Sequence, residues 1–260
     1  MKGSWNAMKT AILTGASSGL GKEYLTELVR QFPEVEQIVL IARRKDRLDA
    51  LAAQFPQKKM VVLPLDLTQE SSYAALADWM KTEQPQVHAL INNAGFGTLG
   101  NLIDMDYPTQ MRMTDLNVRA LTALTTIALP YMEKGGFVLN VCSIASFCPN
   151  PRMTVYCSTK AYVLSFSKSL RYELKDRGIN VLAVCPGPME TEFLPVAGIT
   201  STNSKTFATL PYCNPAEVAR KSLRQAARGR AVYTNRVFFK FYRVLAKILP
   251  HNWLMPVSKA

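Results

Sequence analysis

Acidic side chains run out well before the chain does. Residues 218–260 hold ten Lys and Arg and no Asp or Glu, whereas residues 1–217 hold 21 basic and 19 acidic side chains. The formal net charge of +12 therefore belongs to the tail and not to the chain as a whole. Nucleic-acid binding is not expected, because the positions between the tail's cations are greasy. No run of about eighteen apolar residues is present, so no segment is expected to span a bilayer. Residues 1–7 lack the apolar core and cleavage site of a signal peptide. A cytoplasmic protein is expected, with contact to a membrane surface left open. Histidine is scarce, and His88 and His251 stand far apart, which argues against a metal site. The five cysteines contain no Cys-x-x-Cys pair, a pattern that fits buried free thiols in a reducing compartment.

What is present is a globular composition, 48% hydrophobic and 19% charged over 260 residues. Short apolar runs at 8–14, 38–41, 60–65, 87–91, 137–142 and 179–184 read as strands. Helical patterns at 20–32, 45–55, 69–82, 109–132 and from about Tyr156 to Asp176 alternate with them. Such alternation implies βαβ units and an α/β fold, a doubly wound parallel sheet between two helix layers. Without repeats or linkers, residues 1–235 read as one domain and 236–260 as a basic, amphipathic appendage.

Two stretches carry chemistry. Gly15-Ala16-Ser17-Ser18-Gly19-Leu20-Gly21 follows a strand and opens a helix. There Gly15 allows a tight turn, Gly19 a close backbone approach to a pyrophosphate, and Gly21 tight packing. Past the second strand, where an acidic residue would select a free ribose 2′-hydroxyl, the chain has Ala42-Arg43-Arg44-Lys45. Cations are unfavourable at a helix N-terminus, so Arg43 and Arg44 point to a bound 2′-phosphate and to NADP(H) over NAD(H). The second stretch places Tyr156 and Lys160 four residues apart, on one face of a helix. An ammonium beside a phenol favours the phenolate and tunes it for acid–base work on a carbonyl or alcohol oxygen.

With Asp66-Leu67, Asn92-Asn93-Ala94-Gly95, Asn117, Ser143 and Pro186-Gly187 at their spacings, these motifs make the chain resemble the short-chain dehydrogenase/reductase family from about Lys9 to Thr191. The resemblance implies a Rossmann-type sheet of about seven strands and hydride transfer between a nicotinamide cofactor and a small-molecule carbonyl or secondary alcohol. It implies Tyr156 as acid/base, Ser143 as hydrogen-bonding partner of the substrate oxygen, and Lys160 as both the ammonium and a ribose ligand. Asn117 resembles the family's relay-water asparagine. Cofactor contacts are implied for Gly15, Ser17, Ser18, Gly19, Leu20, Gly21, Asp66, Leu67, Asn92, Ala94, Gly95, Tyr156, Lys160, Pro186, Gly187, Met189 and Thr191. A homodimer or homotetramer is expected.

The stretch from Glu190 to Asn214 lacks periodicity and reads as a mobile lid. Phe96, Phe147, Met153 and Phe193 either line an apolar pocket or pack in the core. A pocket would favour a hydroxysteroid, bile acid or fatty-acid derivative, with a general small-carbonyl reductase as the alternative. From Arg236 to Leu249, Arg236, Lys240, Arg243 and Lys247 form one helical stripe amid apolar residues. Such a helix covers the pocket, meets a second subunit or lies on a membrane. The competing class is a non-catalytic NADP(H)-sensing or membrane-associated scaffold protein.

Overall fold

Strand β2 (Gln37–Ile41) is buried along its whole length, as a central parallel strand must be when helices cover both sides. Ile38 and Leu40 turn to one helix layer, Val39 and Ile41 to the other, so the period of two divides one apolar run between two cores. A computed structural model describes residues 8–200 and 202–258. The N-terminal stretch 1–7, Ser201 of the expected lid, and residues 259–260 of the tail lie outside the described residues.

Seven parallel strands form one sheet in the order β3-β2-β1-β4-β5-β6-β7. They are β1 (Lys9–Thr14), β2, β3 (Lys59–Leu63), β4 (Gln86–Asn92), β5 (Met132–Val141), β6 (Asn180–Val184) and β7 (Val232–Tyr233). On one face pack α1 (Gly19–Gln31), α2 (Lys45–Ala52) and, later in the chain, Pro215–Ala227; on the other pack α3 (Glu70–Glu83) and the helices around Leu124 and Leu170. The strand order reverses between β1 and β4, which opens a crevice at the carboxyl ends of the strands.

The long helical segment is broken into α4 (Tyr107–Thr114), a π-helical turn (Asp115–Ala120) and α5 (Leu121–Ala128). It ends before the expected Met132, in a 3₁₀ turn containing Pro130. Met132 already pairs with Val87, and a register shift absorbs the residues up to Phe137, so Gly135-Gly136 lies within β5 instead of before it. Helix α6 (Thr154–Glu173) carries Tyr156 and Lys160. The expected irregular lid contains two short helices, α7 (Phe193–Val196) and α8 (Lys205–Thr209), the second capped by the Ser204 hydroxyl at 3.2 Å from the Phe207 amide. Helix α9 (Pro215–Ala227) is tied to α1 by a 3.0 Å hydrogen bond between the buried Tyr24 and Ser222 hydroxyls. The tail forms α10 (Val237–Ile248) and α11 (His251–Ser258), separated at Leu249-Pro250. The five cysteines are buried and free.

Candidate active site

Six strand ends deliver the residues of one cavity of about 700 Å³. After β1, Gly15 (φ +66°) and Gly19 (φ +50°) hold left-handed conformations that suit glycine. A side chain at Gly21 would run into the Gly15 carbonyl, so the turn and the first coil of α1 pack backbone to backbone. Ser18 opens α1 in extended conformation without a side-chain cap, leaving the first amides of the helix for another acceptor.

The cations flank this loop. Arg43 and Arg44 line the cavity beyond β2. Arg44 donates to the Ser17 hydroxyl at 3.2 Å and to Glu192 at 2.9 Å, while Arg47 donates to the other Glu192 oxygen at 2.6 Å. Hydrogen bonds from Arg44 and then Arg47 hold the Glu192 carboxyl down to about 2. Arg43 makes no ion pair or hydrogen bond among the described residues. Asp66 and Leu67 line the cavity, and Asp66 accepts from the Thr68 amide and hydroxyl at 3.0 and 2.9 Å.

The reacting groups sit on the opposite wall. Ser143 follows β5, and Tyr156 and Lys160 descend from the first turns of α6, the phenol and the ammonium both nearly buried. Lys160 Nζ donates to the Val141 carbonyl at 2.8 Å and lies 5.8 Å from the centre of the Tyr156 ring. Lys160, four residues on, is expected to lower the phenol's pKa. Here burial is the larger influence and pushes Tyr156 above its ordinary value, with a hydrogen bond from Ser143 acting the other way. Burial also pulls the Lys160 ammonium down. Gly95 permits this crowding, since a Cβ there would lie 2.9 Å from Asn117 Oδ1 and 3.3 Å from Lys160 Nζ. Gly97 does the same for the rings of Tyr156 and Phe193, whose centres are 5.5 Å apart.

Of the sequence-derived site residues, Gly15, Ser17, Ser18, Gly19, Leu20, Arg43, Arg44, Asp66, Leu67, Ala94, Gly95, Ser143, Tyr156, Lys160, Pro186, Gly187, Met189 and Thr191 border this cavity. Three others stand behind its wall. Gly21 serves the packing of α1. Asn92 points into the domain, donating to Asn140 at 2.9 Å and Thr125 at 3.0 Å, because its side chain alternates away from the crevice. Asn117 is set inward by the π-helical turn and braces Phe96, accepting from its amide at 3.1 Å and donating to its carbonyl at 2.9 Å. Its amide also donates to Thr159 at 3.1 Å. Phe96, Met153 and Phe193 line the cavity, but Phe147 packs against Tyr242 and the tail instead.

Two of the contributors that were not foreseen bear on the cofactor side of the cavity. Glu192 is one; its only sequence signal is a carboxylate directly after Thr191. The other is Phe239 of α10, fully buried against Gly187, where a Cβ would collide with its ring. Phe239, Tyr242, Ala246 and Leu249 recur at helical spacing, so the tail has an inward face that its basic stripe obscured.

The short chain dehydrogenase family model matches residues 9–199. A short chain dehydrogenase of Pseudocercospora fijiensis (strain CIRAD86) is 34% identical over 191 residues, covering 71% of this chain and 60% of that relative, so the match spans well under the relative's full length. The short-chain dehydrogenase from Sphingobium yanoikuyae in complex with NADPH superposes with a TM-score of 0.77 at 30% identity, covering 94% of this chain and 97% of the other. The bulky-bulky ketone specific alcohol dehydrogenase from Comamonas testosteroni does so with 0.73 at 28% identity, covering 94% and 95%.

Proposed function

This chain belongs to the short-chain dehydrogenase family, and we propose that within it the protein is an NADP(H)-dependent oxidoreductase that interconverts a bulky, hydrophobic ketone and its secondary alcohol. The observation that carries this reading is the shared cavity: Ser143, Tyr156 and Lys160 on one wall, the Gly15–Gly19 turn with Arg43 and Arg44 on the other. The cradle fits a dinucleotide, because its glycines take the left-handed turn that brings uncapped helix amides to the crevice and its cations suit a 2′-phosphate. NADPH bound in the Sphingobium structure supports the same cofactor.

When bound, the nicotinamide supplies the hydride. Tyr156 gives a proton to the carbonyl oxygen, and Ser143 donates a hydrogen bond to that oxygen. Lys160 would hold the nicotinamide ribose, and Asn117 keeps Phe96 and the Thr159 hydroxyl in register beside it. Asp66 and Leu67 would border the adenine, and Pro186, Gly187, Met189 and Thr191 would hold the carboxamide. Phe193, Leu194, Phe207, Leu210 and Phe238 give the remaining volume an apolar wall, which supports a hydrophobic substrate such as a hydroxysteroid, bile acid or fatty-acid derivative. The Comamonas enzyme's preference for bulky ketones supports the same size class. Residues 1–235 act as the catalytic domain, 236–260 as an appended segment docked through Phe239, and the protein assembles as a homodimer or homotetramer. NADPH oxidation measured over steroid, bile-acid, fatty and small aromatic carbonyls tests this. Turnover confined to small carbonyls would reject the hydrophobic substrate, and no turnover anywhere would reject the reaction.

The phenol sets the pH dependence of both directions. With its pKa raised by burial, Tyr156 is protonated at neutral pH, the form needed to donate. We expect kcat/KM for reduction to stay flat across neutral pH and fall only under alkaline conditions, while alcohol oxidation, which needs phenolate, climbs with pH. Reduction that falls between about pH 6 and 8, near the ordinary range of histidine and not of a raised phenol, would assign the proton to another group.

Glu192 yields a further expectation. It holds Arg44 through an exposed ion pair that a 2′-phosphate must share or displace. Glu192→Gln should lower the NADPH Kd by up to about fivefold, the scale of one exposed pair. Fluorescence titration reads this directly; weaker binding would mean that the carboxylate braces Arg44 for the phosphate.

A further inference from the structure

Helix α10 is apolar on two opposite sides. Its inward side, Phe239, Tyr242, Ala246 and Leu249, packs onto Gly187, Phe147 and Cys148. On the far side Val237, Phe241, Val244 and Ile248 form a second stripe at i, i+4, i+7 and i+11, between 52% and 80% exposed. At about 100° per residue the basic stripe of Arg236, Lys240, Arg243 and Lys247 adjoins that outer stripe along one edge. Phe238 lies along the other edge, both 55% exposed and part of the cavity wall. A continuous apolar path thus leads from the outer stripe over Phe238 into the cavity mouth, where exposed Val196 adds to the rim. In α11, Leu254 is buried while Trp253 is 70% exposed.

We propose that this outer face of α10 and α11 docks on the surface of an anionic lipid bilayer, with the cavity mouth turned toward the lipid. Charge argues for lipid and against a second copy of the chain. A two-fold pairing would set the two basic stripes near each other, and no Asp or Glu from residue 218 onward is available to neutralise them. Anionic headgroups neutralise all four cations while the acyl boundary receives the apolar stripe, and an indole suits the interface. At twelve residues α10 is about 18 Å long, which suits a helix lying in the surface plane, and among the described residues no helix is long and apolar enough to cross a membrane. Docking stands apart from the proposed reaction; a ketone delivered from the bilayer would follow if both hold.

Removing the tail is a poor test, since Phe239 completes the cavity wall. The full chain should instead be sedimented with phosphatidylcholine vesicles, with and without phosphatidylglycerol. We expect strong binding only with the anionic lipid, accompanied by a blue shift of emission that disappears in Trp253→Phe. Each of Lys240→Gln and Lys247→Gln should weaken partition about fivefold. The double variant Val244→Glu, Ile248→Glu should weaken it by more than about tenfold. Both positions are exposed, so the variant should keep the wild-type thermal midpoint. The proposal is overturned by absent vesicle binding, by equal binding to neutral vesicles, or by unchanged binding of the folded double variant. A dimer in sedimentation velocity that the double variant dissociates would also overturn it, assigning the face to a second copy.

Discussion

Tyr156→Phe should lower kcat for carbonyl reduction by about a hundredfold to ten-thousandfold, the range lost with a positioned general acid. The substitution removes one oxygen and keeps the ring that packs between Gly97 and Phe193, so the cavity wall should survive. Burying a phenyl ring, which needs no hydrogen-bond partner, is, if anything, favourable to stability. The NADPH Kd should therefore change by no more than about twofold, well under the 1.4 kcal/mol that makes a tenfold difference. Stopped-flow turnover and cofactor titration on the same sample separate the two effects. A variant retaining wild-type kcat would remove Tyr156 from the chemistry; one that also loses NADPH would give it a binding role instead. Ser143 does not substitute for the phenol, because its hydroxyl already accepts the Ala145 amide at 3.1 Å and has no cation of its own.

The second large effect concerns the two arginines. Arg43→Ala with Arg44→Ala should raise the NADPH Kd roughly a hundredfold, since two charge-assisted hydrogen bonds to one phosphate are lost at about 1.5–3 kcal/mol each and are not fully additive. The NADH Kd should stay nearly constant, because nothing in these guanidinium groups is required by a free ribose hydroxyl. Titrating both cofactors against both proteins gives the ratio directly, and a parallel loss for NADH would mean that the double variant has damaged the loop itself. Arg43 should contribute more than Arg44. It has no partner to leave among the described residues, whereas Arg44 is shared with Ser17 and Glu192. The single variants are expected to rank in that order.

Much of this site could be read from the residues because its parts are local. A glycine turn after a strand, arginines after the next strand, and two side chains four apart on a helix depend on neighbours close in the chain. What escaped depends on distance. Asn92 and Asn93 are indistinguishable as residue types, and only the pleat of β4 decides that Asn92 enters the Asn140 and Thr125 network while Asn93 bonds the Thr14 carbonyl at 3.0 Å. The π-helical turn that sets Asn117 inward has no periodic signal, since one widened turn is hidden within a helical run. The start of β5 at Met132 rests on pairing with Val87 across a register shift, which no pattern inside the segment reveals. Glu192 and Arg44 meet across the crevice, and their pairing follows from topology alone.

The contact between Gly187 and Phe239 has a consequence in time. The chain emerges from its N-terminal end, and at about 5–20 residues per second the Gly15 turn is made roughly 10 to 45 s before Phe239. The phosphate cradle and the proton-donating wall can thus be assembled while the segment that backs Gly187 has yet to be synthesised. Until α10 arrives, Gly187 faces water where an aromatic ring will later lie, and the core cluster containing Phe239 is incomplete. Competence should consequently appear late and all at once, when the final helices close over a nascent protein whose cofactor loop has been waiting since the start of translation.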